Sequence, residues 1–335
     1  MTREEFRLAV FARDCNTCVI CGRPGQDAHH IMERRLFTDG GYDIDNGVTV
    51  CGQCHLDAER TFITPDEIRA LAHIKTVVLP PHLYSDETYD KWGNPYLPNG
   101  QRLKGELFDD ESVLKALSQV LTQFTDRIKY PRTYHLQWSP GLTSDDRMLS
   151  DLSELEGHEV VVTLKMDGEQ TTIYPDGSCH ARSIDSGSHP SRDWVKALAG
   201  RIGPQLPQGW RICGENLWAK HSIHYTDLKS YFLMFSIWDG LKCLSWEETE
   251  EWAKLLDLHT VQLLSHEKFD PKPWQGFLLG QHLSGEHEGY VVRRAESFHY
   301  RDFRKKVGKY VRAQHVHTHG HWMKEQVVKN EVQND

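Results

Sequence analysis

The stretch Val160-Val161-Val162-Thr163-Leu164-Lys165-Met166-Asp167-Gly168 decides how the second half of this chain folds. Its first part is apolar and rich in β-branched residues, which favours a buried strand. A second strand-like run covers residues 170–174, and a Pro-Asp-Gly turn at 175–177 ends it. Lys165 is therefore predicted at a turn between two strands, beside a sheet that excludes solvent. A lysine in such a place becomes nucleophilic when desolvation, a neighbouring cation or a bound metal lowers its pKa.

Further elements follow this lysine in a fixed order. Gly214-Glu215-Asn216 ends an apolar strand that begins at Trp210, and residues 231–239 read as a buried strand. Glu288 begins another strand, which continues through Arg293. Residues 305–312 are predicted to form a basic strand near the end of the chain.

This succession resembles the covalent nucleotidyltransferases, namely polynucleotide ligases and capping enzymes, over about residues 130–325. DNA ligases and capping enzymes carry a barrel after their last lysine motif, and the stretch from Lys309 to Asp335 is too short for one. ATP-dependent RNA ligases lack that barrel. Residues 130–133 (Tyr-Pro-Arg-Thr), 138–140 (Trp-Ser-Pro) and 309–312 with His321-Trp322 also look like a phage and bacterial RNA ligase family.

The resemblance implies a reaction and a set of site residues. Lys165 would attack the α-phosphate of ATP, and the AMP would pass to a 5′-phosphate RNA end that a 3′-hydroxyl then attacks. A divalent cation, Mg²⁺ or Mn²⁺, would act with Lys309 to stabilise charge on the α-phosphate and help deprotonate Lys165. The remaining implied roles are Glu215 for the ribose, Phe235 for stacking on adenine, Arg182 for ribose or phosphates, Glu288 for the metal, and Asp167, Gly168 and Lys306 as further cofactor contacts.

One position departs from the family pattern. Relatives often carry a second lysine two residues after the one that aligns with Lys309, and this chain has Val311 there. Lys305, Lys306 or Arg312 are the candidates to replace it. Taken alone, Glu288 also fits a solvated strand end and Phe235 fits a core residue. The ordered set of motifs favours the nucleotidyltransferase.

The amino-terminal region carries two cysteine pairs, Cys18-x2-Cys21 and Cys51-x2-Cys54. Four thiolates at this spacing predict a closed tetrahedral zinc site that is structural rather than catalytic. Cys15 competes with Cys18 or Cys21 as a ligand, but the Cys-x2-Cys-Gly pattern favours the latter two. Gly22 and Gly52 follow Cys21 and Cys51, where tight backbone turns are needed.

Three short motifs around these pairs resemble the HNH nuclease family and its ββα-metal fold, over about residues 3–60. They are Ala28-His29-His30-Ile31, Asp45-Asn46-Gly47 and Cys54-His55.

The HNH resemblance also implies roles. His30 would be the general base that activates a water, and His29 and His55 would hold a divalent metal against the scissile phosphate. Asn46 would orient the base. An active nuclease and a nucleic-acid-binding module both fit these residues, and the paired histidines could instead form a second structural metal site.

A chain of 335 residues accommodates two domains. We predict an HNH-like zinc domain at 1–75, a linker and helical connector at 76–128, and a ligase domain at 129–335. Within the connector, residues 80–105 read as the interdomain connection, and residues 110–128 show apolar positions at helical spacing, in a helix predicted to pack on the ligase domain. Capping boxes predict helices that start at Thr2, Thr64 and Ser245, and another helix is predicted from Ser191.

The net charge of −9 argues against a uniformly basic surface. Residues 293–312 are locally basic and interleaved with aromatic residues, which suits RNA phosphates and bases. No signal peptide is visible, and the cysteine usage suits a reducing cytosol, so a cytoplasmic location in a bacterium or a phage-infected host is expected. Histidines at 315, 317, 319 and 321 predict either a metal site or an RNA-contacting row.

The sequence thus predicts an α+β protein, in which a zinc-bound ββα-metal domain precedes an antiparallel-sheet nucleotidyltransferase domain. The expected function is ATP-dependent ligation of RNA with 5′-phosphate and 3′-hydroxyl ends, in a nicked duplex, a tRNA or another RNA, with no membrane partner. Two alternatives remain: an HNH endonuclease with a regulatory ligase-like domain, and a DNA nick-sealing ligase.

Overall fold

The fold is taken from a computed structural model, and the structure describes residues 1–141, 146–184, 187–276, 287–313 and 327–333. The chain divides into two units, Met1–Ile128 and Lys129–Asp335. Helices and mainly antiparallel strands occur in both units, which confirms the predicted α+β class. In the described ranges, no helix has the length and apolar character needed to cross a membrane.

The first unit begins with a helix, a hairpin and a second helix. These are α1 (Arg3–Arg13), the antiparallel pair β1 (Asp27–His30) and β2 (Gly47–Val50), and α2 (Gly52–Glu59). The predicted capping box is present, since Thr2 and Glu5 each bond the other's backbone amide. The order β1, β2, α2 supplies the ββα arrangement that the HNH resemblance implied.

The remainder of this unit contains short elements. They are α3 (Pro65–Leu71), whose capping box starts at Thr64 as predicted, β3 (Arg102–Leu103), α4 (Glu111–Ala116) and β4 (Phe124–Thr125), with β3 and β4 parallel. The single long helix expected over 110–128 was wrong, because the chain leaves the helix at Leu117 and Phe124 enters a strand pair. Its apolar residues instead pack with Trp92 and Phe108 in the first unit.

Residues 80–105 are also not an interdomain connection. Asp90 is fully buried and accepts hydrogen bonds from the Trp92 and Asn94 amides, and from the Arg102 guanidinium at 3.2 Å. Arg102 also donates to the Thr61 hydroxyl. A buried charge needs such partners, so this network fixes the segment into the first unit.

The second unit contains two sheets. The five-stranded sheet has the order β13, β6, β14, β16, β5, in which β5 alone is parallel to its neighbour. Its strands are β5 (Tyr134–His135), β6 (Glu159–Lys165), β13 (Leu263–Lys268), β14 (Gly289–Arg294) and β16 (Val307–Val311).

The seven-stranded sheet has the order β15, β11, β10, β9, β7, β8, and β12 pairs with β10 in parallel. Its strands are β7 (Glu169–Ile173), β8 (Cys179–Ala181), β9 (Trp210–Asn216), β10 (Phe232–Asp239), β11 (Lys242–Cys243), β12 (His259–Thr260) and β15 (Phe298–His299).

Helices of the second unit cover the sheets. They are α5 (Asp193–Ile202), α6 (Trp246–Leu255), α7 (Pro271–Gln275) and α8 (Phe303–Lys306). Ser245 caps α6 as predicted, whereas α5 begins two residues after Ser191 because a 3-10 turn precedes it. The basic strand expected from Lys305 starts only at Val307, since Lys305 and Lys306 end α8. The histidine row and His321-Trp322 lie outside the described residues.

Candidate active site

The lysine turn (residues 165–168) joins the two sheets of the second unit. Lys165 ends β6 in the five-stranded sheet, and Glu169 opens β7 in the other. The Asp167 amide donates to the Tyr225 hydroxyl at 2.9 Å, and Asp167 Oδ2 accepts the amides of Ser222 and Ile223 at 2.8 Å each. The Asp167 carboxylate, predicted to contact the cofactor, therefore bonds to backbone amides of a neighbouring loop.

Gly168 allows the backbone of the lysine turn to lie close to the end of β9. A Cβ at this position would lie 2.6 Å from the Asn216 carbonyl oxygen and 2.7 Å from Leu217 Cδ2. Any side chain would push the lysine turn away from β9, so the glycine shapes the site.

A cavity of about 590 Å³ opens between the two sheets beside the lysine turn. This volume lies within the range of small-molecule sites. The predicted nucleotide-binding residues that line it are Lys165, Gly168, Arg182, Glu215, Phe235 and Lys309.

Lys165 faces two carboxylates. Its Nζ lies 2.6 Å from Glu288 Oε1. Burial disfavours the charged ammonium, but the negative charges of Glu288 and Glu215 outweigh burial and raise the pKa of Lys165. Burial also raises the pKa of Glu215 to about 8, although Lys165 opposes that shift. The lysine is thus held as an ammonium, contrary to the lowered pKa expected of a nucleophile.

The carboxylates beside Lys165 fit a divalent cation. Mg²⁺ and Mn²⁺ prefer oxygen ligands, and Mg²⁺ is commonly held by one or two carboxylates together with substrate phosphates. Glu288 is buried beside Lys165, where it would supply one such ligand. A cation there would offset the negative charge that keeps Lys165 protonated.

Lys309, the predicted phosphate contact, is held by a partner that the sequence did not indicate. Its Nζ lies 3.2 Å from Asp146 Oδ1, and the same oxygen lies 3.2 Å from His135 Nε2. The other ring nitrogen of His135 lies 2.8 Å from the Ser139 hydroxyl. Burial, aided by Lys309, lowers the pKa of His135 to about 4. A neutral histidine and a carboxylate therefore orient the lysine ammonium.

Other cavity residues had no predicted role. The Arg192 guanidinium forms a two-pronged ion pair with Glu169, with Nε 2.7 Å from Oε2. His221 lines the same wall. No local motif marks the Arg192–Glu169 pair, because its members are distant in sequence. Glu169 opens β7, and Arg192 lies in a 3-10 turn. The Tyr130–Thr133 motif, which carried part of the RNA ligase resemblance, also lines the cavity.

Several basic residues of the stretch 293–312 are bonded to the protein itself, although Arg293 also lines the cavity. Lys306, predicted as a cofactor contact, lies with Nζ 3.7 Å from Glu154 Oε2 because α8 carries it away. Arg293 donates to the Leu244 carbonyl at 2.8 Å, and Arg294 donates to the Glu154 carbonyl at 2.9 Å. These two buried arginines of the predicted phosphate-tracking stretch thus bond to the protein itself.

The first unit brings the four predicted zinc ligands together. The sulfurs of Cys18, Cys21, Cys51 and Cys54 all lie within 4.8 Å of one another, which suits a tetrahedral ion. Arg23 donates to Cys21 Sγ at 3.4 Å and lowers the pKa of that thiol to about 6. Zinc binds the thiolate, so this contact favours metal binding. Cys15 is exposed and lies outside the cluster.

His29 and His55 also meet, and Glu59 joins them as a residue that the sequence had not indicated. Ligand atoms of the three residues lie within 4.8 Å of one another. Glu59 Oε1 is 3.5 Å from His29 Nδ1 and 3.4 Å from His55 Nε2. Lys91 Nζ lies 3.2 Å from the same oxygen. The sequence did contain a signal for Glu59, because it follows His55 by four residues, which is one helical turn on α2.

His30 and Asn46 lie next to this cluster. Burial, reinforced by Lys91, lowers the pKa of His30 to about 4, so its imidazole is neutral near pH 7. Asn46 accepts the Met32 amide at 2.9 Å and donates to the Met32 and Gly41 carbonyls. Asn46 therefore fixes the backbone that follows β1 rather than the His30 ring.

Comparison with known proteins agrees with this division. The sequence model of the RNA ligase family matches residues 158–311, and that of the HNH endonuclease family matches residues 18–61. The chain thus carries an RNA ligase domain preceded by an HNH domain. No curated protein matches the chain.

Similar solved structures have low identity. A Naegleria gruberi RNA ligase variant with ATP and Mn is 16% identical over 56% of this chain and 57% of its own, with a TM-score of 0.37. An archaeal ATP-dependent RNA ligase is 16% identical over 56% of this chain and 49% of its own, with a TM-score of 0.39. The putative ATP-dependent DNA ligase from Aquifex aeolicus is 19% identical over 56% of this chain and 50% of its own, with a TM-score of 0.37. The chain thus spans about half the length of these proteins.

Proposed function

We propose that this protein is an ATP-dependent RNA ligase that joins 5′-phosphate and 3′-hydroxyl ends through a lysyl-AMP intermediate. The observation that carries the proposal is that Lys165, Glu215 and Lys309 line one cavity of nucleotide size, while Glu288 lies 2.6 Å from Lys165. Lys165, Glu215 and Lys309 come from three strands of the two sheets, and Glu288 directly precedes a fourth strand, β14. The match of residues 158–311 to the RNA ligase family supports RNA rather than DNA as the substrate.

The chemistry begins when the Lys165 ammonium transfers a proton to solvent water. Its neutral amine attacks the α-phosphorus of ATP, the bond to the β-phosphate oxygen breaks, and pyrophosphate leaves. Lys309 stabilises the charge on the α-phosphate oxygens, and Phe235 packs against the base in the cavity. The 5′-phosphate of an RNA end then displaces Lys165 from AMP. A 3′-hydroxyl attacks that activated phosphate, and AMP leaves.

A divalent cation held by Glu288 would neutralise phosphate charge and lower the proton affinity of Lys165. The protein's own contribution is positioning. The Asp146 carboxylate orients Lys309, and the bonded lysine turn aims Lys165 into the cavity. Correct alignment of nucleophile and phosphate accounts for most catalysis of this kind.

The test is the mass of the intact protein before and after ATP with magnesium. We expect a gain of one AMP that pyrophosphate reverses, and no gain in Lys165→Ala. Lys254→Ala, which removes an exposed lysine on α6, is the matched control and should still be adenylated. An AMP adduct on Lys165→Ala would overturn the assignment.

The nucleic acid is tested separately with nicked duplexes. We expect sealing when RNA supplies the 3′-hydroxyl side and much slower sealing when DNA supplies it. Equal sealing would support the DNA ligase alternative, because the 2′-hydroxyl is the group that distinguishes the two. The eight free cysteines fit a reducing compartment, which supports the cytoplasm of a bacterium or a phage-infected host.

A second candidate function is metal-dependent nucleic-acid cleavage by the first unit. The observation that favours it is the His29, His55 and Glu59 cluster beside a neutral His30. Mn²⁺-dependent cleavage lost in His30→Ala would support it. Mn²⁺ binding without cleavage in the wild-type protein would show that this unit is a binding module.

A further inference from the structure

The segment 327–333 lies beyond the region that matches the RNA ligase family, yet it contacts a loop next to the lysine turn. This bracing loop (residues 217–228) follows β9. Backbone bonds join the two segments, from the Lys220 amide to the Val328 carbonyl at 2.7 Å and from the Leu228 amide to the Glu331 carbonyl at 3.1 Å. Two isolated bridges, at Ala219 and Leu228, accompany them.

Asn330 is the centre of this contact. Its side chain is 1% exposed. Its Oδ1 accepts the Tyr225 amide at 2.9 Å, and its Nδ2 donates to the carbonyls of Leu217 at 2.8 Å and Ala219 at 3.3 Å. Its own amide donates to the Trp218 carbonyl at 3.0 Å. A buried amide with both ends bonded holds backbone in one arrangement, because each lost bond leaves a buried polar group unpaired.

The opposite side of the bracing loop holds the lysine turn. The Tyr225 hydroxyl accepts the Asp167 amide, and the amides of Ser222 and Ile223 donate to the Asp167 carboxylate. Tyr225 therefore connects the two sides, since its amide bonds to Asn330 and its hydroxyl bonds to the turn. The chain of contacts runs from Asn330 through Tyr225 to Asp167, two residues from the predicted nucleophile.

We propose that Asn330 is a positioning residue of the adenylation site, which acts through the bracing loop to hold Lys165 in line with the phosphate. The inference rests on the proposed function, and it gives residues outside the matched ligase region a part in catalysis. Asn330 touches no reacting atom. Its effect is transmitted by the hydrogen bonds of Tyr225 and Asp167.

Two substitutions in the full-length protein separate positioning from packing. Asn330→Ala removes all side-chain bonds. Asn330→Asp keeps the shape and the acceptor for Tyr225, but it places carboxylate oxygen against the Leu217 and Ala219 carbonyls. Gln333→Ala is the matched control, because Gln333 is exposed in the same segment and its bond to Leu228 uses only backbone.

The first measurement is the rate of AMP-adduct formation at saturating ATP. It is corrected for the folded fraction measured under the same conditions. We expect a loss of about 10-fold to 100-fold in both Asn330 variants and none in Gln333→Ala, because small misplacements of a reacting group cost rates of this order. In a Tyr225→Phe background, Asn330→Ala should cost much less, since the two changes break one chain of contacts.

The second measurement is amide hydrogen exchange without nucleotide, followed in peptides that cover residues 165–168 and 217–228. We expect faster exchange in both peptides. Faster exchange in 217–228 alone, with wild-type adduct rates, would overturn the inference. If the wild-type protein forms no adduct, the proposed function falls. Altered exchange at 165–168 would then still show that Asn330 positions the turn, and unaltered exchange would overturn that as well.

Discussion

Lys165 Nζ and Glu288 Oε1 lie 2.6 Å apart, at the ends of two paired strands. The register of the five-stranded sheet creates this contact, because Lys165 on β6 pairs with Gly289 on β14 and Glu288 directly precedes it. Gly289 leaves no space for a side chain, since a Cβ there would lie 1.8 Å from the Tyr310 carbonyl oxygen. The sheet register itself therefore places the predicted nucleophile against the proposed metal ligand.

Glu288→Gln should abolish most adenylation. The amide keeps the size of the side chain but loses the charge that binds a cation and pairs with Lys165. We expect the rate of AMP-adduct formation to fall by at least about 100-fold, comparable to the loss of one strong electrostatic contact in other active sites. Glu267→Gln, an exposed carboxylate on β13, is the control. A wild-type rate in Glu288→Gln would remove Glu288 from the mechanism.

Gly168→Ala should both destabilise the second unit and slow adenylation. The added methyl group would overlap the Asn216 carbonyl and Leu217, and overpacking of this kind costs about 1–3 kcal/mol. Gly200→Ala is the opposite case, because Gly200 lies in α5 and a Cβ added there would meet no atom within 4 Å. We expect that variant to gain up to about 1 kcal/mol in the free energy of unfolding. Thermal unfolding and adduct formation measure both, and an unchanged Gly168→Ala would contradict the tight approach.

Local sequence patterns predicted the strands of the ligase domain well. The runs around Val160, Trp210 and Phe232 are long, apolar and β-branched or aromatic, and each forms the expected strand within a few residues. The 110–128 helix failed because apolar residues at helical spacing also suit a loop that packs on Trp92, and the spacing does not report which surface they meet.

Site residues were predictable only where a motif carries them. The four cysteines cluster as their spacing indicated, and His29 and His55 cluster as the HNH resemblance implied. Asp146 and Arg192 could not be found this way, because long-range folding gives each its partner, whereas the spacing of Glu59 from His55 on α2 was a local signal. The Asp167 assignment shows the converse limit, since a motif names a residue without showing whether its carboxylate faces a ligand or a backbone amide.

Acid should weaken the second unit through His135. Its pKa is about 4 in the folded protein and near 6.5 when unfolded, so the unfolded state binds the extra proton between these values. Stability is therefore highest above about pH 6.5 and falls as pH drops toward 4. The facing groups are Asp146, Lys309 and the Ser139 hydroxyl.

The measurement is the free energy of unfolding of the wild type and of His135→Gln at pH 8 and pH 5. Between pH 8 and pH 5 the wild type should lose roughly 2 kcal/mol more than the variant. Taking the difference cancels the similar contribution expected from His30, whose pKa is also about 4. Equal losses in both proteins would mean that His135 does not titrate in this range.

Removal of zinc should unfold the first unit and leave adenylation intact. The four sulfurs form a closed site, and structural zinc contributes roughly 10–16 kcal/mol of apparent binding free energy in small domains. Cys54→Ala should lose one zinc per chain by elemental analysis and become sensitive to proteolysis within residues 1–128. Cys15→Ser should keep its zinc, because Cys15 lies outside the cluster.

AMP-adduct formation should persist in both variants, since every residue that lines the nucleotide cavity belongs to the second unit. Loss of the adduct in Cys54→Ala alone would show that the zinc unit supports the adenylation site.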